Sequence, residues 1–305
     1  MQSSIRSDDA GVGKDIIMRE YVITTDNNAD LPDSFYEKHG IGCTWFSYTR
    51  EGKHYSHENF MPVGEFYRKM REGSMPTTAQ VNPAEVRNLF EPYLKEGKDI
   101  LHIAFSSGLS GTYNSALQGK MLYEEEFGDD KKIIVFDSLA TSGIETIVAK
   151  KIKELADGGK NAEDIQKEID AYIVNNTGLY FCLESLDALK SNGRLFALAA
   201  KVLEKIRVKL ICKRTDQGNI SLVAQDITLN RAMMKMSNLI AGELDGKDLS
   251  GETLVVSYVC CEDRAKQVAA KICEKAKFGN VEILKASGLN SLYASDGGII
   301  VSYSF

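Results

Sequence analysis

The chain has 305 residues, 43% of them hydrophobic and 26% charged, with 37 Lys and Arg against 43 Asp and Glu for a formal charge of −6. That length suits two hydrophobic cores better than one. The acidic balance argues against a nucleic-acid or anionic-membrane surface, because either needs clustered basic residues.

No run approaches the roughly 18 apolar residues needed to span a bilayer. The N-terminus has no apolar signal-peptide core, so a cytoplasmic location is expected. The six cysteines (Cys43, Cys182, Cys212, Cys260, Cys261, Cys273) include no C-x-x-C pair. They read as buried thiols, with no metal site.

In chain order, residues 1–19 are polar and aperiodic and read as a loose tail. A short buried-type strand is expected over 21–24, then a polar loop over 25–30. Loops at strand C-termini are where α/β sheets place ligands. Asp26 in that loop therefore has a functional reading near a ligand and a structural one in an Asx turn. Residues 31–39 suggest a short helix, 41–48 a strand, and 50–53 a hairpin turn. His54 and His57 follow without a third metal-ligating residue nearby and read as exposed. Residues 61–72 form an amphipathic helix with Phe60, Val63, Phe66, Tyr67 and Met70 on its apolar side, and a loop carries Thr77 and Thr78.

Asn82 and Pro83 open a capped helix in which Pro92 predicts a kink near Leu89. A strand over 100–105 then feeds a Ser/Gly turn, a helix follows over 110–127, and a strand over 132–136. Helices are expected over 143–157 and from Asn161 to about 174. This alternation predicts a parallel sheet covered by helices on both faces, a three-layer α/β/α unit spanning 20–175. After Asn175 and Asn176 the pattern changes. Strands at 179–183, 208–213, 220–224, 253–259, 281–284 and 298–303, with helices at 185–190, 195–205, 228–244 and 262–277, predict a second α/β unit over 176–305. Its sheet should be mixed, with helices mainly on one face.

The turn after the third long strand, Ser106-Ser107-Gly108-Leu109-Ser110-Gly111-Thr112, carries the most chemistry. A strand-to-helix turn leaves backbone N–H groups unpaired at the helix start, and its hydroxyls add donors, so it favours an anion. In the bland alternative, Ser110 merely caps the helix. A hydrolase nucleophile would want G-x-S-x-G with a later histidine. Here Gly108 and Ser110 fit, position 112 is threonine, and all four histidines (His39, His54, His57, His102) precede Ser110. A hydrolase or acyltransferase using Ser110 with His102 or His39 remains an alternative, because triads occur in several chain orders. Neither phosphate-loop motif is present.

Several runs together resemble one family. Pro76-Thr77-Thr78-Ala79-Gln80, Ser106 to Ala116, Thr24-Thr25-Asp26-Asn27-Asn28-Ala29-Asp30-Leu31-Pro32, Phe136-Asp137-Ser138 and Asn192-Gly193-Arg194-Leu195 are similar to the DegV family of bacterial fatty-acid-binding proteins. The resemblance runs from about Tyr21 to the C-terminus, and the Ser-Ser-Gly-Leu-Ser-Gly-Thr-Tyr run is its most specific part. It implies a non-catalytic, lipid-binding carrier that encloses one long-chain fatty acid without a further cofactor. In some members the acid is presented to a fatty acid kinase.

By this resemblance Thr78 and Ser110 bind the carboxylate, and Asp26, Ser107, Arg194 and Tyr293 belong to the head-group network. Three departures stand out. Ala79 and Val81 replace the family's serine and proline in the threonine loop. Tyr293 stands where a histidine is usual, and a phenol cannot become cationic near neutral pH. Ile227 stands near the arginine that helps dock the kinase, which weakens charge-dependent recognition.

Magnitudes divide the labour in such a carrier. A chain of about 14 methylenes gains roughly 11 kcal/mol on leaving water, at about 0.8 kcal/mol each. Charged hydrogen bonds add only about 1.5 to 3 kcal/mol apiece, against an association cost of about 4 to 15. An apolar tunnel must supply the affinity and the hydroxyls the position. A regulatory module for a small carboxylate would instead have a short, polar pocket.

Overall fold

The computed structural model describes residues 20–194 and 208–305, so the tail over 1–19 and the helix expected over 195–205 fall outside the described residues. The first part of the chain runs β1 (Tyr21–Asp26), α1 (Asp33–His39), β2 (Gly42–Thr44), β3 (Ser47–Arg50), β4 (Lys53–Tyr55), α2 (Val63–Arg71), β5 (Thr77–Ala79), α3 (Pro83–Lys95), β6 (Asp99–Ala104), α4 (Thr112–Phe127), β7 (Ile133–Asp137), α5 (Gly143–Asp157) and α6 (Ala162–Asn175). Strands β2, β1, β6 and β7 form a parallel sheet in that order. Every residue of β6 is buried, as a strand covered on both faces requires. Helices α3 and α4 pack on one face of the sheet, and α5 and α6 on the other.

The rest runs β8 (Thr177–Cys182), α7 (Asp187–Ser191), β9 (Lys209–Arg214), β10 (Ile220–Asp226), α8 (Leu229–Glu243), β11 (Thr253–Tyr258), α9 (Glu262–Cys273), β12 (Asn280–Lys285), α10 (Gly288–Ala294) and β13 (Ile299–Ser304). Its mixed sheet has the order β10-β9-β8-β13-β11-β12. The period-two alternation of a strand sorts its side chains between two cores. Tyr180, Cys182, Ile299 and Val301 face α8 and α9. Leu179, Phe181 and Ile300 face the first half of the molecule, in the same core as the parallel sheet. Helix α5 lies between the sheets, touching β1 and β6 on one side and β8, β11 and β13 on the other.

Two expectations change. The single strand over 41–48 is two strands in different sheets: β2 pairs with β1, Trp45 and Phe46 make the step, and β3 pairs with β4 and β5. The step separates its side chains, leaving Trp45 44% exposed and Phe46 2%. The threonine loop is itself strand β5, with Tyr48 opposite Thr78. Three residues with two hydroxyls carry too little hydrophobic pattern to announce a strand; cross-strand pairing supplies it. Not all the thiols are buried either: Cys182 and Cys212 are, whereas Cys260 is exposed.

Candidate functional site

The serine turn follows β6 at the C-terminal edge of the parallel sheet. Helix α4 begins at Thr112 with Gly111 as its N-cap, so Ser110 lies just outside the helix, and its Oγ accepts the Thr112 N–H at 3.2 Å. Ser110 Oγ and Thr112 Oγ1 are 2.9 Å apart. Either hydroxyl can donate in that pair; in the arrangement in which Thr112 donates, the Ser110 proton is left for an outside acceptor.

Ser106 plays a different part. It is fully buried, and its hydroxyl donates to the Gly218 carbonyl at 2.8 Å, fastening the turn to the β9–β10 hairpin. Gly218 has φ +73°, and a Cβ there would lie 2.2 Å from Ser106 Oγ, so the contact demands glycine. Leu109 and Ser110 project onward from this anchor.

Thr78 reaches the same place from β5. Asn192, at the end of α7, accepts the Thr78 N–H at 3.0 Å and donates from Nδ2 to the Pro76 carbonyl at 3.1 Å, clamping the strand on both sides of Thr77. Gln80 donates to Ser115 Oγ at 3.0 Å, drawing the end of β5 onto the start of α4. Gly111 makes room for this contact, because a Cβ would sit 2.1 Å from Gln80 Oε1 and push the amide aside. The Thr78 hydroxyl pairs with the Tyr293 hydroxyl at 2.8 Å. Burial pushes the phenol's pKa up, so Tyr293 stays a neutral donor. Arg194, exposed at the rim, donates from Nε to the Leu109 carbonyl at 3.2 Å and from Nη1 to the Asn192 carbonyl at 2.5 Å.

Thr78, Ser110, Arg194 and Tyr293 all line one narrow cavity of about 90 Å³. The remaining wall is largely apolar: Leu179, Phe181, Leu183 and Ile300 from the second sheet, Phe105 and Leu109 from the serine turn, and Leu139 and Leu289 from other loops. A concave site lined mostly by apolar side chains with a few convergent polar groups is the usual form of a small-molecule site. The chemistry it offers is a cluster of neutral hydroxyls with Arg194 at the rim, ahead of a largely apolar interior that Arg214 also lines, its guanidinium tied to the Ile173 and Thr177 carbonyls.

Asp26 and Ser107 lie outside the cavity lining. The Ser107 N–H donates to Asp137 Oδ1 at 3.1 Å, and the residue faces solvent. Asp26 is fully buried; its carboxylate accepts the N–H groups of Phe105 at 2.9 Å and Asn28 at 3.0 Å, and burial raises its pKa to about 6. It fixes the exit of β6 from which the serine turn departs. Behind it, Asn28 Oδ1 accepts the Leu289 N–H at 2.6 Å, and Asp30 accepts Ser287 N–H and Oγ at 2.6 and 2.8 Å and Asn290 Nδ2 at 3.2 Å. This network sets the start of α10 and so the position of Tyr293 near its end. Sequence reasoning quoted Asn192 and Gln80 in motifs without giving either a role, and it did not foresee α10.

Among the described residues, no helix is long and apolar enough to cross a membrane. The comparisons with known proteins agree with the geometry. A family model described as "Uncharacterised protein, DegV family" matches residues 20–304. A DegV domain-containing protein from Clostridium perfringens is 30% identical over 263 residues, covering 85% of this chain and 88% of that one. A crystal structure of a DegV family protein from Ruminococcus gnavus, described with vaccenic acid, is 29% identical with a TM-score of 0.84, covering 92% of this chain and 99% of that one. The Streptococcus pneumoniae fatty acid kinase B3 protein, loaded with linoleic acid, shares the fold at 22% identity and a TM-score of 0.80, over 93% of this chain and 99% of that one. Matched along nearly its whole described length, the chain belongs to the DegV family.

Proposed function

We propose that the protein binds a single long-chain fatty acid, with Thr78 and Ser110 holding the carboxylate and the acyl chain filling the cavity between the two sheets. One observation carries this reading: four polar residues from separate segments, Thr78, Ser110, Arg194 and Tyr293, meet at a cavity whose other walls are mostly apolar. The R. gnavus relative described with vaccenic acid supports it. Arg194 supplies charge at the rim and Tyr293 one further donor, while Asp26 and Ser107 act at a remove by holding the loops. The protein would work as a cytoplasmic carrier, in keeping with six free cysteines.

Catalysis by Ser110 finds no support in the local contacts. His102 is fully buried and bonded through Nδ1 to Thr24 Oγ1 at 3.0 Å, with burial lowering its pKa to about 3. Hand-over to a fatty acid kinase is the weaker part of the reading, because Ile227 stands 66% exposed where a docking arginine would be expected.

Native mass spectrometry of freshly purified protein, followed by delipidation and titration with palmitate, tests the proposal. One fatty acid per chain is expected, and Thr78→Val or Ser110→Ala should each weaken binding roughly tenfold, the worth of one charge-assisted hydrogen bond. Protein that carries no acid and takes up no palmitate would refute it.

A further inference from the structure

We infer that Phe46 and Leu289 form a partition between the fatty-acid cavity and a second, outer apolar chamber, and that this partition sets the longest acyl chain the protein accepts; the inference rests on the fatty-acid reading above. The outer chamber, about 520 Å³, lies between the β3–β4 hairpin, α2 and α10. Its walls are mainly aromatic and aliphatic, including Trp45, Tyr48, Phe60 and Phe66. Lys285 is the one charged residue among the described residues that line it, so the chamber suits hydrocarbon. Among the described residues, Phe46 and Leu289 alone line both spaces.

Both are side chains on a fixed main chain. The Phe46 N–H donates to Asn27 Oδ1 at 3.0 Å, its ring packs edge-on against Phe105 with centroids 5.6 Å apart, and it is 2% exposed. The Leu289 N–H is held by Asn28 Oδ1. Two side chains on fixed backbones therefore separate an acyl terminus from the outer chamber. Trimming either should join the two spaces without moving the hydroxyl cluster. Each additional methylene then buried raises affinity roughly fourfold.

The chain supplies its own reporter, because Trp45 is its single tryptophan and lies on the outer side of the partition. Wild type, Phe46→Ala and Leu289→Ala are delipidated and titrated with palmitate and docosanoate, then loaded with docosanoate brominated at its terminal carbon. The expected result is a docosanoate-to-palmitate affinity ratio at least about tenfold higher in either variant than in wild type. Bromine quenching of Trp45 should be strong in the variants and weak in wild type. Phe46→Leu gives an intermediate ratio and serves if the alanine variant does not fold. Wild type that binds palmitate while the variants leave the ratio and the quenching unchanged would overturn the partition alone. Wild type that takes up no palmitate would overturn the fatty-acid function and the partition with it.

Discussion

Two polar centres lie close together in this protein and are built on opposite principles. At the cavity, Thr78, Ser110 and Tyr293 carry neutral hydroxyls whose donor and acceptor roles can exchange, so they can re-aim a proton at an arriving acceptor. Behind it, Asp26 and Asp30 are fully buried acids whose oxygens are taken up by backbone and side-chain donors. Polar groups that satisfy one another build a frame; hydroxyls left with a free proton are available to a ligand. Glu145 departs from the frame's pattern. It is fully buried on α5, and among the described residues its Oε2 accepts only the Thr25 hydroxyl, at 3.3 Å, and Oε1 has no partner.

The contrast is broken most forcefully at Asp30. Asp30→Ala strands the Ser287 N–H, takes one acceptor each from the Ser142 hydroxyl and Asn290 Nδ2, and leaves a non-glycine residue at φ +52°. A loss of about 3 kcal/mol is expected, roughly a 5 °C fall in Tm for a chain of this size. Thermal unfolding by circular dichroism reads it. A shift below about 2 °C would mean that the network is not a frame.

Glu145 tests the frame through pH. Burial first, then the neighbouring Asp26 and Asp30, raises its pKa well above the ordinary 4.5. A raised acid holds its proton in the folded state after the unfolded chain has lost it. Its contribution is therefore complete below about 4.5 and declines as pH rises through the folded pKa. Each unit of the shift corresponds to about 1.4 kcal/mol lost on ionisation. Glu145→Gln should flatten the fall in stability between acid and neutral pH and make the protein more stable at pH 7 by at least about 1 kcal/mol. Urea denaturation at several pH values decides it, and a variant with the wild-type slope would rule the account out.

The smallest effect belongs to the cavity. Tyr293→Phe removes one neutral hydroxyl and should weaken palmitate binding about fivefold while leaving Tm within about 2 °C. Tyr293→His sharpens the comparison by making one member of the neutral cluster ionisable. Affinity should then rise as pH falls through about 6.5, whereas wild type stays flat in that range.

Much of this was legible in the sequence because it depends on local pattern. The buried run of β6, the Asn82 cap and the serine turn all carry their signals within a few residues. The shared placement of Thr78, Ser110, Arg194 and Tyr293 came from resemblance, since no spacing rule joins residues so far apart. What stayed hidden lies in contacts that sequence separation conceals. Asn192 clamps Thr78 across 114 positions, and Asn28 orients α10 across 261. Helix α10 spans only seven residues, begins at a glycine and has no side-chain cap of its own, so no start signal marks it. Trp45 and Phe46 read as mid-strand residues, because only the finished sheets reveal that the chain changes partners there.

Helix α5 has a last consequence. From Gly143 to Ala149 every residue is buried, because parallel and mixed sheets both lean on the same helix. Severing the chain between Asn175 and Asn176, where composition suggests a natural division, would strip each half of the surface that the other covers. Neither fragment should be soluble when made by itself, and the intact molecule should melt in a single calorimetric peak. A protein with two large sheets and a small third one would then behave, thermodynamically, as one indivisible cooperative body.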